Sequence, residues 1–231
     1  MKKSTAQKLL KFSEEEYDTY AREFSDCRPF FWRELEHLNK FIKNGDKILD
    51  IGCGNGRLLN LFKDVEIDYT GIDSSKELIE IAKKNHGNER KFIHANALSL
   101  PFQDKTFDTV FSIAVLHHVP SKKFRRCFVT EVNRVLKPKG TLVLTVWNIR
   151  QWRFLKTHLL HFIKKIIGRS DLDFGDTIIY FGQKKRKRYV HAFSKRSLCQ
   201  LLEKNGFTVS SITEARRQSG YANFVVIAQK K

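Results

Sequence analysis

The sequence predicts an α/β fold built on a largely parallel sheet. Short apolar strand-like runs alternate with helical periodicity through the middle of the chain, one of them opening into three closely spaced glycines. The last two strand-like runs follow each other without a helix between them, which reads as a closing antiparallel pair. Lys47–Ile51 is the first buried strand; it ends at Gly52-Cys53-Gly54-Asn55-Gly56, and a helix follows from about Arg57. Residues 67–73 form the second strand, after which Ser74 or Ser75 caps a helix carrying Leu78, Ile79 and Ala82. Residues 91–96 and 107–114 are the third and fourth strands. A helix from Ser121 to Leu136 sets Phe124, Phe128, Val132 and Val135 on one face. Lys137-Pro138-Lys139-Gly140 stops it, and Thr141 to Val146 is the fifth strand.

Beyond the fifth strand the chain changes character. Gln151 to Ile167 is amphipathic, with Leu155, Leu159, Phe162, Ile163 and Ile166 at helical spacing and Arg153, Lys156, Lys164 and Lys165 elsewhere. A core-facing helix is the first reading, and a membrane-surface helix the second. An irregular segment, 168–183, leads to the basic run Lys184-Lys185-Arg186-Lys187-Arg188. A helix from Ser194 to Asn205 closes at Gly206, and 207–212 and 221–228 are the final strands. The expected organisation is one domain over 1–231. It comprises an N-terminal helical extension (1–45), a ligand-binding core (46–149), a basic helical insertion (150–193), and a C-terminal helix with closing strands (194–231).

Composition narrows the class of partner. The 231 residues hold 43 Lys and Arg against 25 Asp and Glu, a net charge of +18. Such an excess points to a polyanion, nucleic acid before an anionic membrane surface. No apolar run reaches the roughly 20 residues of a membrane span, and Met1-Lys2-Lys3-Ser4 leads into mixed polar sequence rather than a signal-peptide core. Cys27, Cys53, Cys127 and Cys199 are scattered, with no CxxC pair, which excludes the common zinc patterns and gives no disulfide framework. The expectation is a reduced, cytoplasmic protein without a metal site or stable membrane insertion.

The glycine loop carries the chemistry. Glycines between strand and helix let a ligand approach the backbone where a side chain would collide. Asp50 precedes them, and Asp73 ends the next strand, where a carboxylate accepts from a ribose diol. A nicotinamide dinucleotide wants the same acid, but its GxGxxG fingerprint needs glycine at 57, where Arg57 stands.

Asp50-Ile51-Gly52-Cys53-Gly54-Asn55-Gly56 resembles the first motif of class I S-adenosylmethionine-dependent methyltransferases, and Gly71-Ile72-Asp73-Ser74-Ser75 their second. Leu100-Pro101-Phe102, Phe107-Asp108 and Leu136-Lys137-Pro138-Lys139-Gly140 match the later pattern in order and spacing. The resemblance implies a Rossmann-like, seven-stranded, mostly parallel sheet and S-adenosylmethionine as cofactor. It implies that Gly52, Gly54 and Gly56 pass beside the methionine moiety, that Asp73 holds the ribose hydroxyls, and that Asn96 and Ala97 flank the adenine edge, with Ile113 following in the fourth-strand motif; Asp50 and Ser74 are counted with the same cofactor-binding set. Many relatives have Asp where this chain has Asn96; an amide oxygen still accepts from the adenine amino group.

The acceptor is read from other segments. Tyr17-Asp18, Phe24 to Trp32, Ser112 to Val119 with Arg125-Arg126, Val146-Trp147-Asn148 and Arg188 to Phe193 together resemble the tRNA wobble-uridine methyltransferases that esterify 5-carboxymethyluridine. The match is poor over 150–187. The resemblance implies tRNA as partner and, because the eukaryotic relatives work with one, a small zinc-containing activator subunit.

A carboxylate, with a reference pKa near 4, is already ionised at pH 7 and needs no general base. The protein's task is then to position it. Arg28 is the candidate that orients the acid, its bidentate fork suiting a carboxylate; a helix-terminus ion pair is its other reading. Of His117 and His118, one packs and one faces the acceptor, with His117 taken as the candidate, and His191 is placed on the site rim by the resemblance. Trp147 reads as a base-stacking or a core aromatic. Arg125, Arg126 and Lys184, Lys185, Arg186, Lys187 and Arg188 are the expected phosphate contacts, the basic run having a solvated loop as its plain alternative. Two further readings stand beside tRNA methylation. One is a methyltransferase for a small or lipid-soluble, quinone-like acceptor; the other is an RNA-binding module that keeps the fold without turnover.

Overall fold

Lys47, Asp68 and Lys91 begin three strands that lie side by side in parallel, the start of the central sheet. A computed structural model describes the chain except for residues 88–89, 150–158, 161–162, 164, 169, 182–185 and 217–219. The N-terminal segment forms α1 (Lys3–Thr19), α2 (Ala21–Asp26) and a 3-10 helix (Arg33–Phe41). The core follows as β1 (Lys47–Ile51), β2 (Asp68–Asp73), α3 (Lys76–His86), β3 (Lys91–His94), β4 (Phe107–Ile113), α4 (Lys122–Val135) and β5 (Leu136–Trp147). Next come β6 (Asp176–Phe181) and β7 (Arg186–His191), then α5 (Lys195–Glu203), β8 (Phe207–Arg216) and β9 (Ala222–Lys230).

Seven strands form one sheet in the order β3-β2-β1-β4-β5-β9-β8. β1 to β5 are parallel, and β9 runs antiparallel between β5 and β8. This is the α/β architecture the sequence predicts. Strand alternation sorts the core into two layers. Leu49, Val110, Leu142 and Leu144 meet Phe128 and Val132 of α4 and Leu198 of α5 on one face. Ile48, Phe111 and Val143 meet Leu35, Phe62 and Ile79 on the other. Each such fully buried side chain contributes roughly 1.5–3 kcal/mol.

Serine caps start the helices. Ser75 accepts from Leu78 N, Ser121 from Phe124 N, and Ser194 forms a capping box with Ser197. The predicted helix after the glycine loop is instead a 3-10 turn of six residues, Arg57–Phe62, entered from left-handed Gly56. The predicted irregular segment holds β6, paired antiparallel with β7 from Asp176↔His191 to Phe181↔Arg186, so Arg186, Lys187 and Arg188 lie in a strand rather than a loop. Lys184 and Lys185 lie outside the described residues. Of the predicted 151–167 helix, Leu159, Leu160, Ile163 and Ile166 are helical and 47–63% exposed, not core-facing; most of its remainder is outside the described residues. Among the described residues no helix is long and apolar enough to cross a membrane.

Candidate active site

The strand order reverses between β1 and β4, and the carboxyl ends of β1, β2, β4 and β5 open there into a cleft. Open parallel sheets bind ligands at such a switch point. The cleft encloses about 1350 Å³, part of it open to solvent. Asp50, Gly52, Gly54, Asp73, Ser74, Asn96, Ala97 and Ile113 all line it, as the sequence expects.

The glycines divide the work. Gly52 (φ +74) lies where a Cβ would come within 2.3 Å of Val115 Cγ2, and its N–H, like that of Cys53, donates to Ile72 O. At Gly54 (φ +57) a Cβ would project toward the cleft and meet only the Phe24 ring, at 3.4 Å. Gly56 (φ +80) does not line the cleft: a Cβ there would strike the His86 ring at 2.7 Å. The expected contact of Gly56 with the methionine moiety is therefore corrected to a packing and turn role.

Two carboxylates are desolvated beside this loop. Asp50 is buried and accepts from the Tyr69 hydroxyl at 2.8 Å; burial pushes its carboxyl up to about 7 despite that bond. Neighbouring Asp73 raises it further and Arg57 opposes the rise. Asp73 accepts from Gly54 N and Ser75 N, each at 2.9 Å, yet burial still holds its carboxyl above the usual range. Asn96 uses its side-chain oxygen to accept from Leu98 N at 2.8 Å, so one lone pair of that oxygen serves the turn.

The N-terminal segment roofs the cleft. Asp18 accepts from Ser75 Oγ at 2.6 Å and Glu77 N at 3.2 Å, fastening α1 to the start of α3. Asn55 donates to Ser25 Oγ and to Arg28 O, fastening the glycine loop to α2 and the turn after it. Arg28 lines the cleft, its guanidinium 4.3 Å from the Phe24 ring centroid and donating to Phe24 O.

The histidines separate. His117 is fully buried off the cleft, its Nδ1 accepting from Trp147 N at 3.3 Å and its ring 4.6 Å from the indole. His118 is the one on the cleft wall. Its Nδ1 donates to Tyr189 O at 3.0 Å, and its Nε2 accepts from the Tyr17 hydroxyl at 3.3 Å, which in turn accepts from Arg188. Burial, with Arg188 nearby, holds His118 down to about 4, so the ring is neutral at pH 7. The expected acceptor-facing His117 is thus corrected to His118, because burial beneath Trp147 removes His117 from the cleft. Trp147 and Arg188 also line the cleft.

Two further expectations fail for one shared reason. Arg125 is buried, donating to Val119 O, the Tyr189 hydroxyl and Asp176. His191 sits 2.6 Å from the same Asp176 Oδ1 and does not line the cleft. Both belong to an internal network that fastens the β6–β7 hairpin to α4, not to a rim or a phosphate contact. Arg126 is exposed, as is Lys187, while Arg186 pairs with Glu23 and stacks on Tyr20. Sequence reasoning named Tyr17, Asp18 and Asn55 only as members of motifs and weighed His118 against His117, and it made none of the four a site candidate. Asn55 was signalled only by being the polar residue inside the glycine loop.

The donor set fits a cofactor that brings both hydroxyls and positive charge. Asp73 offers acceptors to a diol, desolvated Asp50 gains from a nearby cation, and the backbone at Gly54 is bare toward the cleft. The methyltransferase domain family matches residues 49–144. A chain of Encephalitozoon cuniculi, whose name assigns a methyltransferase only provisionally, is 31% identical over 194 residues, 84% of this chain and 85% of that one. The tRNA (carboxymethyluridine(34)-5-O)-methyltransferase of Arabidopsis thaliana is 36% identical over 149 residues, 64% of this chain. That match covers 36% of the Arabidopsis protein, so this chain spans about a third of that relative's length. The crystal structure of an S-adenosylmethionine-dependent methyltransferase from Methanosarcina mazei superposes with TM-score 0.72 at 29% identity, over 87% of this chain and 98% of that one. The chain belongs to the class I S-adenosylmethionine-dependent methyltransferases.

Proposed function

We infer that the enzyme methylates the carboxylate of a 5-carboxymethyluridine at the tRNA wobble position. The observation that carries the reading is the convergence of Arg28, His118 and Trp147 on the cleft that holds the cofactor residues, in a chain that resembles the Arabidopsis wobble-uridine enzyme. S-adenosylmethionine, when bound, supplies an electrophilic methyl group on sulfur. The acceptor acid is ionised at neutral pH, so the protein has no proton to remove. Arg28 orients the carboxylate and selects for it, and Trp147 offers the uracil a stacking face. His118 is neutral and bonded at both ring nitrogens, so it acts as a strut between Tyr17 and Tyr189 rather than as a base. Asp50, Gly52, Gly54, Asp73, Ser74, Asn96, Ala97 and Ile113 hold the cofactor. Arg126 and the basic run through Arg188 meet phosphates, in keeping with the net charge of +18.

A small activator subunit is part of this reading. A Haloferax volcanii chain crystallised in complex with the Trm112 methyltransferase activator shares the fold, with TM-score 0.71 at 16% identity over 94% of this chain and 96% of that one.

The exposed Leu159, Leu160, Ile163 and Ile166 favour a second reading, a lipid-soluble acceptor delivered from a membrane surface. Labelled transfer to tRNA from cells lacking the enzyme, followed by nucleoside mass spectrometry, separates the two. A methyl ester on carboxymethyluridine, labile to mild alkali, is the expected product. Label that resists mild alkali moves the acceptor to nitrogen, carbon or ribose oxygen. Label found only in a lipid extract supports the second reading.

A further inference from the structure

A second cleft, of about 1060 Å³ and partly open to solvent, lies between α1, α2 and β7. Ser13, Tyr17, Phe24, Arg28, His118 and Arg188 line both clefts, so the two adjoin at Arg28. Beyond that shared wall the lining changes. Phe12 and Tyr20 add aromatic surface, Arg186 and Lys187 add positive charge, and Cys27 stands exposed within it. Two acids, Glu16 and Glu23, sit among four cations, and Glu23 is paired with Arg186. The guanidinium groups already lie on rings: Arg186 on Tyr20, and Arg188 5.0 Å from the Tyr17 centroid while donating to its hydroxyl. Flat aromatic and guanidinium faces interleaved with cations are what a single strand needs, since bases stack on either plane while phosphates meet the charge. A small apolar acceptor has no use for such a surface.

We propose that the second cleft is a subsite for the nucleotide that adjoins the methylated uridine in single-stranded RNA. Its base lies on the Tyr20–Arg186 stack, and its phosphate faces Lys187 and Arg188. The inference rests on the reading of the acceptor as a tRNA uridine. It makes the enzyme a reader of an oligonucleotide, with the acceptor carboxylate in one cleft and the neighbouring residue in the other.

Cys27 provides a reporter that does not depend on methyl transfer. The full chain, with S-adenosylhomocysteine, is treated with iodoacetamide in the presence of an unmodified anticodon stem-loop oligonucleotide. Alkylation of the Cys27 peptide is followed by mass spectrometry, and binding of the oligonucleotide by fluorescence anisotropy. The proposal expects alkylation to slow at least fivefold when the oligonucleotide is bound, and the protection to shift to higher oligonucleotide concentration in Lys187→Glu and in Tyr20→Ala. Oligonucleotide bound with Cys27 alkylated at the unprotected rate overturns the subsite and leaves the tRNA reading standing. No binding of the oligonucleotide, together with no methyl transfer to tRNA, overturns both.

Discussion

The Asn55 side-chain amide donates to the main-chain carbonyl of Arg28 at 3.2 Å, and also to Ser25 Oγ at 3.1 Å. One side chain thus ties the glycine loop of the cleft to Arg28, the residue proposed to orient the acceptor. The two substitutions at this tie should separate. Arg28→Ala removes the guanidinium and leaves the carbonyl bond in place, so transfer to tRNA falls by about tenfold or more while affinity for S-adenosylhomocysteine stays within a few-fold. Asn55→Ala removes both bonds, each worth about 1 kcal/mol, so cofactor affinity and transfer fall together. Calorimetric titration beside a transfer assay checks both; an equal loss of cofactor affinity in Arg28→Ala makes that residue structural.

Much of the fold was legible because the β1–β5 runs and their caps each satisfy a local rule, and those rules agree. The cleft at the strand ends was legible for the same reason: the glycine loop after β1 and the acid ending β2 fall side by side once the two strands pair. The acceptor side was less so. His117 and His118 escape strand alternation because the chain leaves β4 at Ala114 (φ +61) and runs as a 3-10 turn over Leu116–His118. The β6–β7 hairpin was hidden by Arg186-Lys187-Arg188, whose charges mask the alternation of a strand only partly buried, at Tyr189 and Val190. Arg125, by contrast, was readable. It lies three residues before Phe128, four before Val129 and seven before Val132, on the buried face of α4.

The glycines give a second pair of expectations. Gly54→Ala and Gly56→Ala both force a side chain into left-handed backbone, a strain of roughly 1–2 kcal/mol. Gly56→Ala adds a collision with His86 and Phe92 away from the cleft, so its larger effect is on thermal stability. Gly54→Ala places a methyl group toward the cleft, so its larger effect is on cofactor affinity. Thermal melts and S-adenosylhomocysteine titration of both variants should show this crossing. If affinity falls equally in both, the loop acts as one rigid unit.

The ligand-free protein should carry opposing pH dependences between about pH 4 and 7. Asp50 rises from 3.8 to about 7 on folding, so its contribution is fully present below pH 3.8 and is lost as pH rises through 7. The full swing is about 4 kcal/mol. His118 falls from 6.5 to about 4, so its contribution is present above pH 6.5 and is lost as pH falls through 4. His117 is lowered by burial in the same sense. Asp50→Asn should therefore be more stable than the parent at pH 8 and lose stability more steeply on acidification. His118→Asn, which keeps a donor toward Tyr189 O, should lose less. Urea titrations at half-unit steps of pH measure both slopes, and parallel curves for parent and Asp50→Asn would overturn the assignment.

Arg125 and Arg126 are neighbours in sequence with opposite fates, and charge substitutions should expose the difference. Asp176 accepts from Arg125 at 3.5 Å and from His191 at 2.6 Å, with Arg125 and Asp176 both buried. Asp176→Asn leaves the Arg125 guanidinium buried without its counter-charge. That loss is roughly 3–5 kcal/mol, which lowers Tm by on the order of 10 °C for a domain of this size. Arg126 is exposed on α4, so Arg126→Glu should move stability by no more than about 0.5 kcal/mol. Its effect should fall on RNA instead: weaker binding for every sequence tested, with the slope of log affinity against log salt reduced by about 1. Thermal melts and RNA titrations at three salt concentrations carry the comparison. An unchanged salt slope in Arg126→Glu would take this face of α4 out of the RNA path, leaving the phosphate contacts to β7.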